Sequence, residues 1–65
     1  MKITVSYQGK AQELDAKGNS VLHVLEHLKI NPEIVLVARN GTIVPETEEL
    51  HEGDSLEIIR TVSGG

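Results

Sequence analysis

The chain has 65 residues, no cysteine, a single aromatic residue (Tyr7), and a formal net charge of −4 from ten acids and six bases. A chain this short buries only about 60% of the surface it exposes when unfolded, so a catalytic cleft with its supporting shell would compete with one thin core. Without cysteine there is no disulfide framework, thiolate metal centre or catalytic thiol, and one aromatic ring makes no stacking platform for single-stranded nucleic acid. The acids gather in Glu46, Glu48, Glu49, Glu52, Asp54 and Glu57. That balance disfavours phosphate backbones as partners and suits a protein with a basic face. The start, MKITVSYQGK, alternates instead of running apolar, which matches neither a signal peptide nor a membrane span. A reducing, cytoplasmic location is the expectation.

Ile3, Val5 and Tyr7 alternate with Lys2, Thr4 and Ser6, the period of a strand. Gln8-Gly9 suits a two-residue turn, and a second, weaker strand runs from Lys10 to about Asp15. Ala16 to Asn19 reads as a loop. Ser20 is a good N-cap, and Val21, Val24, Leu25 and Leu28 recur at helical spacing, with Leu22 on the flank. The helix is expected to run about ten residues, with Asn31-Pro32 as its stop, because Pro cannot continue it.

Ile34 to Arg39 is rich in β-branched residues and apolar on both faces, which predicts a central strand. Asn40-Gly41 is the strongest hairpin signal in the chain. Thr42 to Val44 is a short return strand that Pro45 ends. Thr47 to Glu52 is a polar connection anchored by Leu50, Gly53-Asp54 is a turn, and Ser55 to Thr61 is the last strand. In that strand Leu56 and Ile58 share one face, Glu57 and Ile59 the other. One helix covers one sheet face only. If Val35 and Val37 point to the core, Leu36 and Ile59 share the uncovered face, and an exposed apolar patch marks an interaction site.

Three stretches carry possible chemistry. Gly53-Asp54-Ser55-Leu56 spells the signature of a class of serine esterases, but no His or Asp follows Ser55, and an activated serine needs a base and an orienting group within reach. The simpler reading is a turn that Gly53 permits and Asp54 caps. His23-Val24-Leu25-Glu26-His27 matches a zinc-peptidase pattern. Those polar residues lie opposite the apolar stripe, however; a catalytic zinc wants a third protein ligand and a cleft, and the chain has nothing to build the cleft. A solvated helix face and no metal site are expected. The third stretch is Ser63-Gly64-Gly65. Glycine lacks a Cβ, so such a tail can thread a narrow channel. Its terminal carboxylate is a poor electrophile until it is activated, for instance as an acyl-adenylate.

The opening hairpin, the Ser20-capped helix, the run Arg39-Asn40-Gly41-Thr42-Ile43-Val44-Pro45, then Glu52-Gly53-Asp54 and the terminal Val62-Ser63-Gly64-Gly65 together resemble the ThiS/MoaD family of small sulfur carriers. The resemblance spans nearly the whole chain. It implies an α+β, ubiquitin-like β-grasp fold over residues 1–61, a mixed four- to five-stranded sheet on one main helix, and a flexible tail over 62–65. It also implies a carrier and not an enzyme. A ubiquitin-activating-type enzyme, using its own ATP and magnesium, would adenylate the carboxylate of Gly65. A sulfurtransferase or cysteine desulfurase would supply sulfur to make a thiocarboxylate. A synthase would then take that sulfur for thiamine thiazole, molybdopterin or a tRNA base. Gly64 and Ser63 form the slim approach, and Val62, Ile59 and Leu36 are the expected partner contacts. No cofactor is expected on the chain itself, nor a membrane or nucleic acid as partner. Two alternatives stay open: a protein modifier joined to lysines through Gly65, and a β-grasp binding module, to which the acidic balance is ill suited.

Overall fold

The computed structural model describes residues 1–61; the expected tail, Val62 to Gly65, lies outside them. The elements follow as β1 (Lys2–Tyr7), β2 (Lys10–Asp15), α1 (Val21–His27), a 3₁₀ turn (Pro32–Ile34), β3 (Val35–Arg39), β4 (Thr42–Val44) and β5 (Ser55–Arg60). They build one five-stranded sheet in the order β2-β1-β5-β3-β4. The central pair, β1 and β5, is parallel, and the other neighbours are antiparallel. With α1 packed across one face this is the expected β-grasp arrangement.

Both hairpins follow from their turn residues. Gln8 and Gly9 sit at φ 52° and 79°, and Asn40 and Gly41 at 51° and 90°. Two successive positive φ values define the type I′ turn, whose twist matches the flanking strands. The core is the covered sheet face plus one helix stripe: Ile3 and Val5 of β1, Val21, Val24 and Leu25 of α1, Val35 and Val37 of β3, and Leu56 and Ile58 of β5. Leu50 closes it from the long connection, as expected of an anchor, at 3% exposure. Each such side chain contributes about 1.5–3 kcal/mol by leaving water.

The helix is shorter than its spacing suggested, and its stop is different. Ser20 caps it in extended backbone, its Oγ accepting from the His23 amide at 3.4 Å. The next orphan donors, Val21 N–H and Leu22 N–H, are taken by the carbonyls of Glu48 and Glu46 at 3.0 and 2.9 Å. At the far end Lys29 turns left-handed at φ 59°. Its amide donates to the Glu26 carbonyl, and that of Ile30 donates to Leu25 at 2.9 Å. This is the Schellman pattern, so the chain leaves the helix before Asn31-Pro32 is reached. Pro32 instead opens the 3₁₀ turn, where its missing N–H costs nothing, and Asn31 Oδ1 accepts from Glu33 N–H at 2.9 Å. Ile34 falls in that turn, and β3 starts one residue later than expected.

Candidate functional site

The face of the sheet opposite α1 carries the candidate partner-binding residues. Register fixes who stands beside whom. Leu36 is directly opposite Ile59 across β3 and β5, Ala38 is opposite both Ile43 and Glu57, and Glu57 is opposite Ser6 on β1. Leu36, Ile43 and Ile59 are 47%, 54% and 40% exposed, the large apolar side chains left in water among the described residues. Ala38, small and shielded, floors the space between them. The expected pair Leu36 and Ile59 is therefore brought together, while Val62 lies outside the described residues. Ile43 was missed because a three-residue strand bounded by Gly41 and Pro45 shows too little alternation to assign a face.

This patch sits where the chain leaves the sheet. One step beyond the Leu36–Ile59 pair, Val35 is opposite Arg60, and the Thr61 amide donates to the Ile34 carbonyl at 2.9 Å. A surface that grips Leu36 and Ile59 thus lies next to the root of the terminal segment.

A second cluster braces the far end of β3 and was not anticipated. Arg39 Nε donates to Asp54 Oδ2 at 2.7 Å, Nη1 to Glu48 Oε2 at 3.1 Å, and Nη2 to His51 Nδ1 at 3.1 Å. Asp54 also accepts from the His51 amide at 2.8 Å and from Asn40 Nδ2 at 3.2 Å. Because Arg39 can only donate, this contact requires His51 Nδ1 to accept. Asp54 is buried, at 6% exposure. Burial alone would push its carboxyl up, but donation from Arg39, the His51 amide and Asn40, with the Arg39 charge, holds it below the ordinary value. The same hydrogen bond to Asp54 raises Arg39, against the effect of burial. Asp54 does cap a turn, as read, but its larger role is to tie the Asn40-Gly41 turn to the acidic connection.

The Gly53-to-Leu56 stretch falls on a turn and the start of β5, and His23, Glu26 and His27 fall on the helix face away from the core. Ser55 opens β5 as an exposed residue whose amide donates to Asn40 Oδ1 at 3.0 Å. Val21, Val24 and Leu25 are buried while His23, Glu26 and His27 face water. His23 Nδ1 is 2.8 Å from Ser20 Oγ, and a methyl on Gly18 would run into the His23 side chain. A hollow of about 300 Å³ lies here, with Leu14, Ala16 and Val24 among its lining residues and His23 and His27 beside them. Among the described residues no group of three or more His, Cys, Asp or Glu gathers to hold a metal ion. No helix among them is long and apolar enough to cross a membrane.

Comparison with known proteins agrees with this geometry. A sulfur carrier protein, TtuB, of Thermus thermophilus is 40% identical over 55 residues, covering 83% of this chain and 85% of its own. A solved thiamine biosynthesis protein (ThiS) of Geobacter metallireducens superposes with a TM-score of 0.65 at 26% identity, over 95% of this chain and 99% of that one. A chain in the complex of subunits 1 and 2 of the molybdopterin-converting factor of Helicobacter pylori superposes with a TM-score of 0.71 over all of both chains. At 17% identity that likeness speaks for the fold alone. The profile of the ThiS family matches residues 4–65, nearly the whole length. The chain belongs to the ThiS family of small sulfur carriers, proteins that carry sulfur and are not themselves catalysts.

Proposed function

We propose that this chain carries sulfur as a thiocarboxylate on Gly65. The observation that carries the reading is that the family match runs through residue 65 and so includes Gly64-Gly65. In this scheme a carboxylate oxygen of Gly65 attacks the α-phosphorus of ATP held by an adenylating partner, and pyrophosphate leaves. The terminal sulfur of a donor persulfide then attacks the acyl carbon and AMP leaves; a thiol next attacks the donor's own sulfur in the resulting acyl disulfide, forming a disulfide and releasing the thiocarboxylate. The product delivers its sulfur to a cofactor, thiazole or molybdopterin, or to a tRNA base. ATP and magnesium belong to the partner. This chain contributes a reactive end, a slim approach through Ser63 and Gly64, and a docking face.

That face is Leu36 and Ile59, with Ile43 added from the geometry and Val62 from the sequence. The place of Leu36 and Ile59 close to Thr61, the last described residue, supports the assignment: a partner that holds the tail in its active site reaches these two residues without spanning the domain. The experiment is deletion of Gly65. The shortened chain should fold as before and fail to support ATP–pyrophosphate exchange by the partner enzyme. A shortened chain that is still adenylated overturns the proposal.

A further inference from the structure

We propose that Asn40 is a site of spontaneous covalent modification, a deamidation that the fold holds in check through Asp54 and Ser55. Asn40 is the only asparagine of the chain followed by glycine; Asn19 precedes Ser20, and Asn31 precedes Pro32. In an Asn-Gly pair the backbone nitrogen of the glycine can attack the side-chain carbonyl carbon, because no Cβ on the following residue obstructs the approach. Here Gly41 N would bond to Asn40 Cγ, the Cγ–Nδ2 bond would break, and the departing amide would leave as ammonia, taking up the proton that Gly41 N gives up. The product is a five-membered succinimide. Water opens it at either carbonyl to aspartate or isoaspartate. No oxidant or reductant is involved, and water is the only co-reactant. The other two asparagines are poorer: Ser20 carries a side chain, and the Pro32 nitrogen has no proton to lose.

The surroundings at Asn40 are open, but its side chain is not free. Asn40 and Gly41 are exposed at the tip of the β3–β4 turn, and a Cβ added at Gly41 would meet nothing within 4 Å. Water reaches the pair. Yet Asn40 Nδ2 donates to Asp54 Oδ1 at 3.2 Å, and Asn40 Oδ1 accepts from the Ser55 amide at 3.0 Å. The Asn40 backbone amide is pinned as well, donating to the Ser55 carbonyl at 2.8 Å. Asp54 is itself buried and held by Arg39, so it does not follow the Asn40 side chain outward. Ring closure requires Cγ to swing onto Gly41 N, and both side-chain bonds must break first. One of them runs to a carboxylate and is of the stronger kind. Together they lower the reactive population by roughly tenfold or more.

The modification would not be silent. Aspartate at position 40 replaces a donor with a second carboxylate where the amide now lies 3.2 Å from Asp54. Like charges at that separation repel, and isoaspartate would also lengthen the backbone inside a two-residue turn. Either product loosens the end of the β3–β4 hairpin, which positions Ile43 on the open face. The inference stands apart from the sulfur-carrier reading, since it rests on the turn alone.

The full chain is incubated in mildly alkaline buffer, folded and in guanidinium chloride, and followed by intact mass and peptide mapping. The expected signature is exchange of NH2 for OH at Asn40, with Asn19 and Asn31 unchanged over the same interval. Conversion of folded protein should be slower than that of unfolded protein by roughly tenfold or more. Asp54→Ala should move the rate in native buffer toward the unfolded one. Because that variant can lose its fold, Asp54→Asn provides a milder weakening, and the wild-type comparison needs no variant. Asn40→Asp, the chemical product, should unfold at lower denaturant than wild type. Equal rates in folded and unfolded wild type, or a first modified site other than Asn40, would overturn the proposal.

Discussion

Arg39 and Asp54, 15 positions apart in the chain, meet at 2.7 Å through Nε and Oδ2. The bond joins the end of β3 to the residue before β5. With it come Glu48 and His51 of the acidic connection and Asn40 of the turn. The long segment from Pro45 to Asp54, which has little regular structure of its own, is thereby fastened to the sheet. Its carbonyls at Glu46 and Glu48 also accept from the first amides of the helix, so the fastened segment caps the helix start as well.

Replacing Asp54 with Ala removes the shared acceptor of three donors and leaves a guanidinium and two N–H groups short of partners. The expected loss is about 2 kcal/mol or more, a large share of the stability of a domain this small. Guanidinium unfolding should show a lower midpoint at an unchanged slope. A midpoint equal to wild type would mean that water replaces the clamp without cost.

The same residue predicts an acid limb. Asp54 in the folded chain gives up its proton more readily than in the unfolded chain. Its contribution is therefore fully present above the ordinary value of 3.8 and is lost as pH falls through the lower native value. Asp54→Asn should be less stable at neutral pH and lose less of its stability on acidification. A variant whose stability falls as steeply as wild type over that window would place the acid sensitivity elsewhere.

Much of the fold was legible in the chain. The alternation of Ile3, Val5 and Tyr7, the Asn40-Gly41 signal, and Leu50 standing alone among polar neighbours each gave the right element. That Leu36 and Ile59 share one sheet face followed from the two-residue period once Val35 and Val37 were assigned to the core; that they stand directly opposite each other did not. The helix end was not legible, because the left-handed position that terminates it is occupied by Lys29, which carries no turn signal. Nor was the Arg39–Asp54 bond, since spacing along a sequence says nothing of which charges a crossover brings together. The family was legible in the Asn40-Gly41 and Gly53-Asp54 turns taken with the terminal Gly64-Gly65.

Lys29 sets up a stability prediction. It holds φ 59° at the position where helices prefer glycine. A side chain there costs about 1 kcal/mol, and the Schellman bonds of Lys29 and Ile30 use backbone atoms only. Lys29→Gly should raise stability by about that amount, read as a higher guanidinium midpoint. A drop would show that the lysine side chain makes a stabilising contact that offsets its backbone strain.

Leu36 and Ile59 are predicted to matter for recognition and little for folding. They are half exposed on a face that no element among the described residues covers. Leu36→Asp and Ile59→Asp should each shift stability by about 1 kcal/mol or less, while weakening the functional complex tenfold or more, as expected for truncated interface anchors. Adenylation kinetics against carrier concentration would read this as a raised KM at similar kcat. Unchanged KM in both variants would move the docking face elsewhere.

The most direct test of the central claim is the intact mass of this chain after incubation with its adenylating partner, ATP, magnesium and a sulfur source. The expected product has one oxygen replaced by sulfur, and fragmentation places the change on Gly65. An adduct formed instead by loss of water to a lysine would make the chain a protein modifier. No change at Gly65, with the partner enzyme shown to be active on another carrier, would contradict the account.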